Sequence, residues 1–290
     1  MALAALPLAI ATYMYSNALR DPVIRRATIE MPDWPRGAAP LRVALLSDIH
    51  VVGPDMPPRR LVRIVQQVNA LNADVILLAG DYVSDKRSAT RTYSGAEGLA
   101  SLSKLRAPHG VYAVLGNHDH WRDAGEISRA LRNANVRILD NEAVTVGGMR
   151  LGGLDDEYTG NADLERTVAA MRGAPGGKVL LTHSPDVGPA TPQDVTLILA
   201  GHTHCGQIKL PIFGALSYVS KYGKRFGCGL ITEGSRRVVV TAGIGTSVLP
   251  FRLGAPSDIW VLTLKAGKKR RDVRSKRIDG VAAFHDDRRG

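Results

Sequence analysis

The chain has 290 residues, of which 44% are apolar and only 5% aromatic, and its formal net charge is +11. This length and composition allow a substantial core of Val, Leu, Ile and Ala, in one large domain or two small ones. Two cysteines, Cys205 and Cys228, exclude a disulfide framework, and we interpret them as free thiols in a reducing compartment.

The amino-terminal segment is apolar and carries no charge before Arg20. Its length barely reaches the roughly 20 residues that a membrane-spanning helix needs. We interpret residues 1–20 as a membrane anchor, with an amphipathic or buried segment as the alternative. Because Arg20, Arg25 and Arg26 follow, the positive-inside rule favours the cytoplasmic face of the membrane, with a soluble cytoplasmic protein as the alternative.

Residues 21–40 contain four prolines and predict an irregular linker. Beyond it, apolar runs and three- to four-residue periodicity predict alternating strands and helices. The predicted strands of this half are Arg42–Ser47, Asp74–Ala79 and Gly110–Leu115, and the predicted helices are Arg60–Leu71, Ser94–Leu105 and Asp123–Asn133. Such alternation is typical of an α/β layered fold.

The second half is richer in strands. The predicted strands are Val136–Leu139, Ala143–Val146, Met149–Leu154, Lys178–Thr182, Thr196–Ala200, Arg237–Thr241 and Ile259–Leu264, with a helix at Leu164–Met171 and a long loop at Cys205–Thr232. We predict a single four-layer α/β/β/α domain at residues 41–264. Residues 265–290 hold ten Lys or Arg against four Asp and predict a basic, disordered tail.

Metal-binding residue types gather at the ends of the predicted strands. Five of the eight histidines fall in five short segments, each ending an apolar run: Ser47-Asp48-Ile49-His50, Gly80-Asp81, Gly116-Asn117-His118-Asp119, Thr182-His183 and Gly201-His202-Thr203-His204. Carboxylates and imidazoles at neighbouring strand ends are what a hydrolytic centre with several metal ions requires.

The ligand chemistry of these segments indicates hard or borderline divalent metals. Asp48 and His50 are two residues apart and share a face of an extended strand, while Asp81 has two oxygens with which to bridge two ions. Oxygen and nitrogen ligation without thiolate suits Mn, Fe, Zn or Co. Two such cations about 3.5–4 Å apart form a known clamp for phosphoryl transfer.

The order and spacing of the five segments resemble the calcineurin-like metallophosphoesterase superfamily over residues 41–264. The resemblance implies two mixed sheets flanked by helices, two divalent metal ions (Mn, Fe or Zn), and attack by a metal-bridged hydroxide on a phosphodiester or pyrophosphate. It implies that one ion is held by Asp48, His50, Asp81 and His204, and the other by Asp81, Asn117, His183 and His202. It further implies that His118 contacts the substrate phosphate and protonates the leaving group, with Asp119 orienting His118.

Within the superfamily, the segments 108–119 and 201–211 resemble membrane-associated bacterial phosphodiesterases. Some of those relatives hydrolyse UDP-2,3-diacylglucosamine, so a lipid-linked nucleotide at a membrane surface is the expected substrate. Alternatives are a soluble phosphodiesterase or phosphatase acting on nucleotides or phosphoproteins, and a non-catalytic scaffold. No nucleic-acid partner is expected, because the excess positive charge lies mostly in the tail.

The loop 205–232 is the main unknown on the substrate side. Its basic residues Lys209, Lys221, Lys224 and Arg225 lie among aromatic residues. The basic side chains can meet a phosphate and the aromatic ones a base or an acyl chain. The alternative is a surface loop closed by its own apolar side chains.

Overall fold

Two six-stranded β-sheets face each other in the computed structural model, which describes residues 2–267. The helices are α1 (Ala2–Leu19), α2 (Pro58–Asn69), α3 (Gly95–Leu99), α4 (Asn117–Asn133) and α5 (Leu164–Met171). Shorter 3-10 helices occupy Ala100–Lys104, Pro185–Ala190, His204–Gly206 and Gly223–Phe226. The strands are β1 (Val23–Met31), β2 (Leu41–Leu46), β3 (Val75–Ala79), β4 (Val111–Val114), β5 (Arg137–Ile138), β6 (Glu142–Val146), β7 (Met149–Gly153), β8 (Gly177–Leu181), β9 (Leu197–Ala200), β10 (Lys209–Leu210), β11 (Gly214–Ala215), β12 (Gly229–Glu233), β13 (Arg236–Val240) and β14 (Asp258–Ala266).

Both sheets are mixed. The first has the strand order β1-β14-β2-β3-β4-β5 and the second β12-β13-β9-β8-β7-β6. Strands β2 to β5 are parallel to one another, and so are β7, β8, β9 and β13. The pairs β14/β2, β6/β7 and β12/β13 are antiparallel. Because the central strands of each sheet run the same way, their carboxyl ends meet at one edge.

Apolar side chains fill the three spaces between the four layers of helices and sheets. Alternate residues of β2, such as Val43 and Leu45, are buried between the two sheets. Their neighbours Ala44 and Leu46 point the other way and pack beneath α2 and α4. A third layer lies between the second sheet and α5. The predicted four-layer α/β/β/α fold with two mixed sheets is therefore confirmed.

Helix α2 follows directly from its sequence. Pro58 lies in its first turn, where the missing N–H costs no hydrogen bond. Leu61, Ile64, Val65 and Val68 recur at three- and four-residue steps, and all four are buried against the first sheet. This face fixes α2 over the strands whose ends carry the first metal-binding segments.

The prediction of an irregular linker at residues 21–40 is wrong for Val23–Met31, which form β1. This strand pairs with β14 in parallel register from Val23–Asp258 to Met31–Ala266. Ile29 and Met31 turn their side chains into the layer between the sheets. The prolines of this region flank the strand without interrupting its ladder, as expected for an edge strand.

The amino-terminal helix α1 packs through its second half on the loop that precedes β14. The carbonyl oxygen of Met14 accepts the Arg252 N–H at 3.0 Å, and the Asn17 amide donates to the Arg252 carbonyl at 3.4 Å. Among residues 2–267, none of the helices combines the length and the apolarity that crossing a bilayer demands.

The predicted basic tail begins later than expected. Lys265 and Ala266 belong to β14, because the ladder with β1 continues through both residues and Lys265 forms an ion pair with Glu30. The remaining tail positions, 268–290, lie outside the described residues.

Cys205 and Cys228 form a disulfide, with their Cα atoms 4.6 Å apart. The interpretation of both residues as free thiols is therefore wrong, and the expectation of a reducing compartment loses its basis, since disulfides persist mainly in oxidising compartments. The bond ties the residue after His204 to the start of β12. A hydrogen bond from the Thr203 hydroxyl to the Gly227 carbonyl, 2.9 Å long, makes the same connection.

Replacing both cysteines by serine is expected to lower the free energy of unfolding by about 3 kcal/mol, because the bond closes a loop between residues 23 positions apart. Urea unfolding of the oxidised protein and of the double variant measures the difference. Wild-type protein unfolded in the presence of a reductant should match the variant. Equal stability of the oxidised protein and the variant would contradict the assignment.

Candidate metal centre

Strand ends from both sheets converge on one buried cluster. Asp48 and His50 follow β2, Asp81 follows β3, Asn117 and His118 follow β4, His183 follows β8, and His202 and His204 follow β9. In the part of the chain that the structure describes, three overlapping groups place ligand atoms within 4.8 Å of one another: Asp48/His50/His204, Asp48/Asp81/His183 and His50/Asp81/His118. These groups contain five of the seven predicted ligands together with His118, and the other two, Asn117 and His202, each have an atom 3.1 Å from His183 Nε2.

The backbone at these strand ends is strained. Asp48, His50, Asp81, His202 and His204 all have φ between 49° and 69°, the left-handed region that non-glycine residues rarely adopt. Each left-handed residue turns the chain sharply as its strand ends and directs the side chain to the shared edge. Strain of this kind persists only where the surrounding structure imposes it, and it concentrates at functional sites.

Four of the predicted ligands form one set, which we call site one: Asp48, His50, Asp81 and His204. The Nε2 atoms of His50 and His204 are 3.2 Å apart. His50 Nε2 lies 3.4 Å from Asp81 Oδ2, and His204 Nε2 lies 3.4 Å from Asp48 Oδ1.

The other set, which we call site two, consists of Asp81, Asn117, His183 and His202. His183 Nε2 lies 3.1 Å from both Asn117 Oδ1 and His202 Nδ1. The same nitrogen is 3.3 Å from Asp81 Oδ2. One oxygen of Asp81 therefore faces both sets, which is the arrangement of a bridging carboxylate.

The spacing of these atoms fits a metal ion at each set. Ligand atoms about 2.0–2.2 Å from a divalent ion lie roughly 3.0–3.5 Å from one another around it. Within each set, nitrogen and oxygen lone pairs approach to these separations. A cation bound in each set would be shared by these donor atoms in place of protons.

Three of the four ligand imidazoles are kept neutral by burial, whereas in His183 the effect of burial is outweighed by the Asp81 carboxylate, which raises the pKa of His183 well above its usual range. His183 Nδ1 lies 2.7 Å from the Ala79 carbonyl oxygen and donates to it, which points Nε2 at the centre, where a bound cation would replace its proton. Burial lowers the pKa of His202 to about 4 and the pKa values of His50 and His204 well below their usual range. Neutral imidazole is the form that binds a metal.

Glycine is required where the strand ends approach most closely. A Cβ atom on Gly116 would collide with Asp81 Oδ1 and with the ring of His183. The glycine of the Gly-Asn-His-Asp segment therefore allows the end of β4 to lie against the bridging carboxylate.

His118 lies at the outer side of the cluster, in the first turn of α4. Its backbone N–H donates to Asp81 Oδ1 at 2.9 Å, and its ring packs edge-on against His50, with centroids 4.9 Å apart. The Nδ1 atom lies 3.3 Å from Oδ1 of Asp85, which is half exposed. Asp85 is thus the carboxylate that orients the ring.

The prediction that Asp119 orients His118 is therefore wrong. Both carboxylate oxygens of Asp119 accept backbone N–H groups, from Tyr82 on one side and from Asp81 and Gly116 on the other, at 2.8–2.9 Å. Burial, together with the Asp81 charge, raises the pKa of Asp119 to about 7. Asp119 fixes the two loops that carry the ligands, and the start of a helix directs its side chain back to those N–H groups rather than to its neighbour.

A cleft of about 580 Å³ opens above the cluster. Its walls include Trp121 and Tyr158, whose rings lie 5.9 Å apart, and Trp121 also packs edge-on against His118. Lys86 and Arg87 also line the cleft. Lys86 is held by Asp55 Oδ1 at 2.6 Å and by the Thr246 hydroxyl at 2.7 Å.

The loop 205–232 contributes apolar rather than basic side chains to this region. Lys221 forms an ion pair with Glu157, and Arg225 forms one with Glu233. Val219 lines the cleft itself. The expectation that the basic residues of the loop meet a phosphate thus finds no support in their contacts.

A smaller groove of about 190 Å³ adjoins the cleft. Its apolar wall is formed by Ile208, Leu216, Val219, Val248 and Leu249. The groove and the cleft share four wall residues: His204, Val219, Ser247 and Val248. The cleft above the metal-binding residues is therefore continuous with this apolar groove.

Sequence reasoning missed Asp85, Trp121 and Tyr158. Trp121 lies three residues after His118, so helical spacing alone places both on one face of α4. Asp85 lies four residues after Asp81, in an irregular loop for which no periodicity predicts a direction. Tyr158 likewise lies in a loop, after β7.

Comparison with known proteins agrees with this geometry. Residues 41–206 match the sequence model of the family described as calcineurin-like phosphoesterase. The matched range contains all seven predicted ligands together with His118.

Related proteins match over most of the chain. A Bacillus subtilis protein named uncharacterized metallophosphoesterase YkuE is 31% identical over 88% of this chain and 90% of its own length. A zebrafish (Danio rerio) protein named transmembrane protein with metallophosphoesterase domain is 32% identical over 88% of this chain and 60% of its own. A Caenorhabditis elegans protein also named as a metallophosphoesterase is 34% identical over 65% of this chain. The chain spans only 41% of the length of the worm protein.

Replacing Asp85 by Asn is expected to lower kcat for bis-p-nitrophenyl phosphate about 10- to 100-fold, because the amide orients the His118 ring less strongly than the carboxylate. Metal content, measured by mass spectrometry, should stay at the wild-type value. Asp119→Asn is the contrasting variant, since it weakens the ligand loops and should reduce metal content. An unchanged kcat in Asp85→Asn would show that the 3.3 Å contact has no catalytic consequence.

Proposed function

The chain belongs to the calcineurin-like phosphoesterase family, and we propose that it is a metal-dependent hydrolase of phosphodiester or pyrophosphate bonds. The observation that carries the proposal is the position of Asp81. One of its carboxylate oxygens lies within 3.4 Å of ligand nitrogens in both site one and site two. This geometry supports two cations side by side, and two cations are what in-line displacement at phosphorus uses.

Divalent ions bound at these sites would supply Lewis acidity, which lowers the pKa of water and offsets the negative charge of a phosphoryl group. The donor sets accept Mn, Fe or Zn, because oxygen and imidazole ligands suit all three. The seven ligands are Asp48, His50, Asp81, Asn117, His183, His202 and His204.

The residues around the metal sites have separate roles in this proposal. His118 donates a proton to the leaving-group oxygen, and Asp85 holds its ring in position through Nδ1. Arg87 places positive charge at the wall of the cleft. The amino terminus of α4, which begins at Asn117, also favours an anion at this point.

The shape of the cleft favours a substrate with two different substituents on phosphorus. The exposed rings of Trp121 and Tyr158 lie at 76° to each other, and the face of either ring can stack on a nucleobase. On the other side, the groove beside Val219 and Val248 can take an alkyl or acyl chain. Both features support an amphiphilic, lipid-linked nucleotide, for which UDP-2,3-diacylglucosamine is the model compound.

A second candidate function is hydrolysis of nucleotide diesters that carry no lipid. The aromatic pair Trp121 and Tyr158 favours it, because base stacking needs no acyl chain. The two candidates differ only in whether the apolar groove contributes to substrate binding.

For the cellular location, we propose a membrane surface in an oxidising compartment. The expectation of the cytoplasmic face depended on Arg20, Arg25 and Arg26. Arg25 and Arg26 belong to β1, and Arg25 forms an ion pair with Asp258 at 2.6 Å, so they do not form a juxtamembrane cluster. The disulfide of Cys205 and Cys228 favours the opposite, oxidising face.

Cleavage of bis-p-nitrophenyl phosphate should require a divalent metal and stop when a chelator removes it. His118→Asn should retain the metal but lose about 10²- to 10⁴-fold in kcat, because it removes the general acid. His109→Asn is the matched control, since the His109 side chain is exposed. The hydrogen bond to the Asp74 carbonyl oxygen, just before β3, comes from the backbone N–H of His109 and is kept in the variant. Full activity in chelator, or activity that survives in His118→Asn while metal content collapses, would refute the proposal.

The groove predicts a preference for longer alkyl groups. Across methyl to octyl p-nitrophenyl phosphate, kcat/KM should rise with each methylene by up to about fourfold where the group is fully buried. Val219→Ser and Val248→Ser should flatten this dependence, whereas Leu230→Ser, an exposed leucine on β12, should leave it intact. A flat series in the wild-type enzyme would favour the nucleotide diesters instead.

A further inference from the structure

The hairpin formed by β10 and β11 exposes large apolar side chains at its tip. Ile212 is fully exposed and Phe213 is 84% exposed. Leu210 and Leu216 on the two arms are also exposed. No packing within the described residues accounts for these side chains, since apolar groups stabilise a fold only when they leave water.

The backbone at the tip also disfavours the residue that it carries. Ile212 has φ of +70°, a left-handed conformation that is an outlier for a β-branched residue. Glycine or asparagine would adopt it at lower cost. Neither burial nor backbone preference therefore explains an isoleucine at this position.

The hairpin is held firmly in place by the loop before β14. The Lys209 N–H donates to the Leu253 carbonyl at 2.7 Å, and the Leu253 N–H donates to the Gln207 carbonyl at 3.1 Å. The Gln207 side chain bonds the loop again, at the Leu249 carbonyl and at the Ser247 N–H. The base of the hairpin therefore has a fixed position relative to residues 247–253.

The same loop joins the hairpin to two further exposed apolar elements. Val248 is 70% exposed, and Leu249 beside it is also exposed. Arg252 bonds to Met14 in α1, whose exposed side chains include Leu6, Leu8, Ile10 and Tyr13. We call these three elements, namely the hairpin tip, Val248-Leu249 and α1, the apolar face.

Basic residues border the apolar face. Arg20 is exposed just beyond the end of α1. Lys209 lies at the base of the hairpin, where burial and the Arg25 guanidinium lower its pKa. Neighbouring cations beside exposed apolar groups match a surface that offers negative head groups above an apolar interior.

We propose that the apolar face docks on an anionic phospholipid surface, with Ile212 and Phe213 entering the head-group layer and α1 lying along it. The protein lies on the lipid surface without crossing it, and the hairpin tip inserts into that surface beside the amino-terminal helix. Val248 lines both the face and the cleft. Docking therefore brings the mouth of the metal centre to the lipid, where an amphiphilic substrate would be held.

Vesicle sedimentation with the full chain tests the proposal without relying on activity. The wild-type protein should bind phosphatidylcholine vesicles containing phosphatidylglycerol more tightly than vesicles of phosphatidylcholine alone. Ile212→Ser/Phe213→Ser should weaken binding to the anionic vesicles roughly tenfold or more, because two apolar side chains no longer leave water. Leu230→Ser is the matched control and should bind as the wild type does.

A tryptophan probe makes the test independent of the serine variant's folding. Phe213→Trp should show a blue-shifted emission on addition of anionic vesicles and quenching by brominated lipid, beyond the signal of the native tryptophans. Unchanged emission and wild-type binding by the double variant would overturn the proposal. So would sedimentation velocity showing that the face pairs two copies of the chain, with no binding to vesicles. Because binding needs no turnover, loss of the proposed hydrolase activity would leave this result unaffected.

Discussion

The convergence of carboxylate and imidazole groups on one buried point is the constraint on which the rest of the structure depends. Asp48 and Asp81 are buried carboxylates, and burial keeps the imidazoles of His50, His202 and His204 neutral. Such a cluster has an excess of lone pairs and negative charge, so by itself it opposes folding. The protein has to hold the cluster together by other means until cations compensate it.

Hydrogen bonds between buried side chains and the surrounding backbone hold the cluster together. Asp119 binds three N–H groups from the loops after β3 and β4, and so fixes Asp81 against the start of α4. On the other side, the fully buried Arg252 donates to the carbonyl groups of Ala242, Gly243, Gly245 and Ala255. Ile244 and Gly245 in turn donate to the Asp48 carbonyl. Left-handed ligand residues are thus held from both sheets, which is the over-determination that backbone strain requires.

Local patterns in the sequence were sufficient for the layers and for the residues of the cluster. Each ligand follows an apolar run, and parallel strands bring their carboxyl ends together wherever the run ends. What the sequence could not predict depends on pairs that are distant along the chain or on loop direction. The edge strand β1 needs β14 as its partner, and Cys205 needs Cys228, so neither carries a local signal. The orientation of Asp85 and Asp119 toward their partners depends on turn geometry that no periodicity encodes.

The position of β14 in the first sheet has a consequence for synthesis of the chain. This strand, the last of those described, lies between β1 and β2, both of which come from the first fifty residues. On the ribosome, β1 and the outer edge of β2 remain unpaired until residues 258–266 have emerged. All the metal-binding segments are made before that moment, so a nascent chain carries the whole ligand set beside an open sheet edge. Contacts this distant along the chain slow folding, and the open edge is exposed to wrong partners meanwhile. Pairing of β14 with β1 and β2 is therefore the step that completes the first sheet.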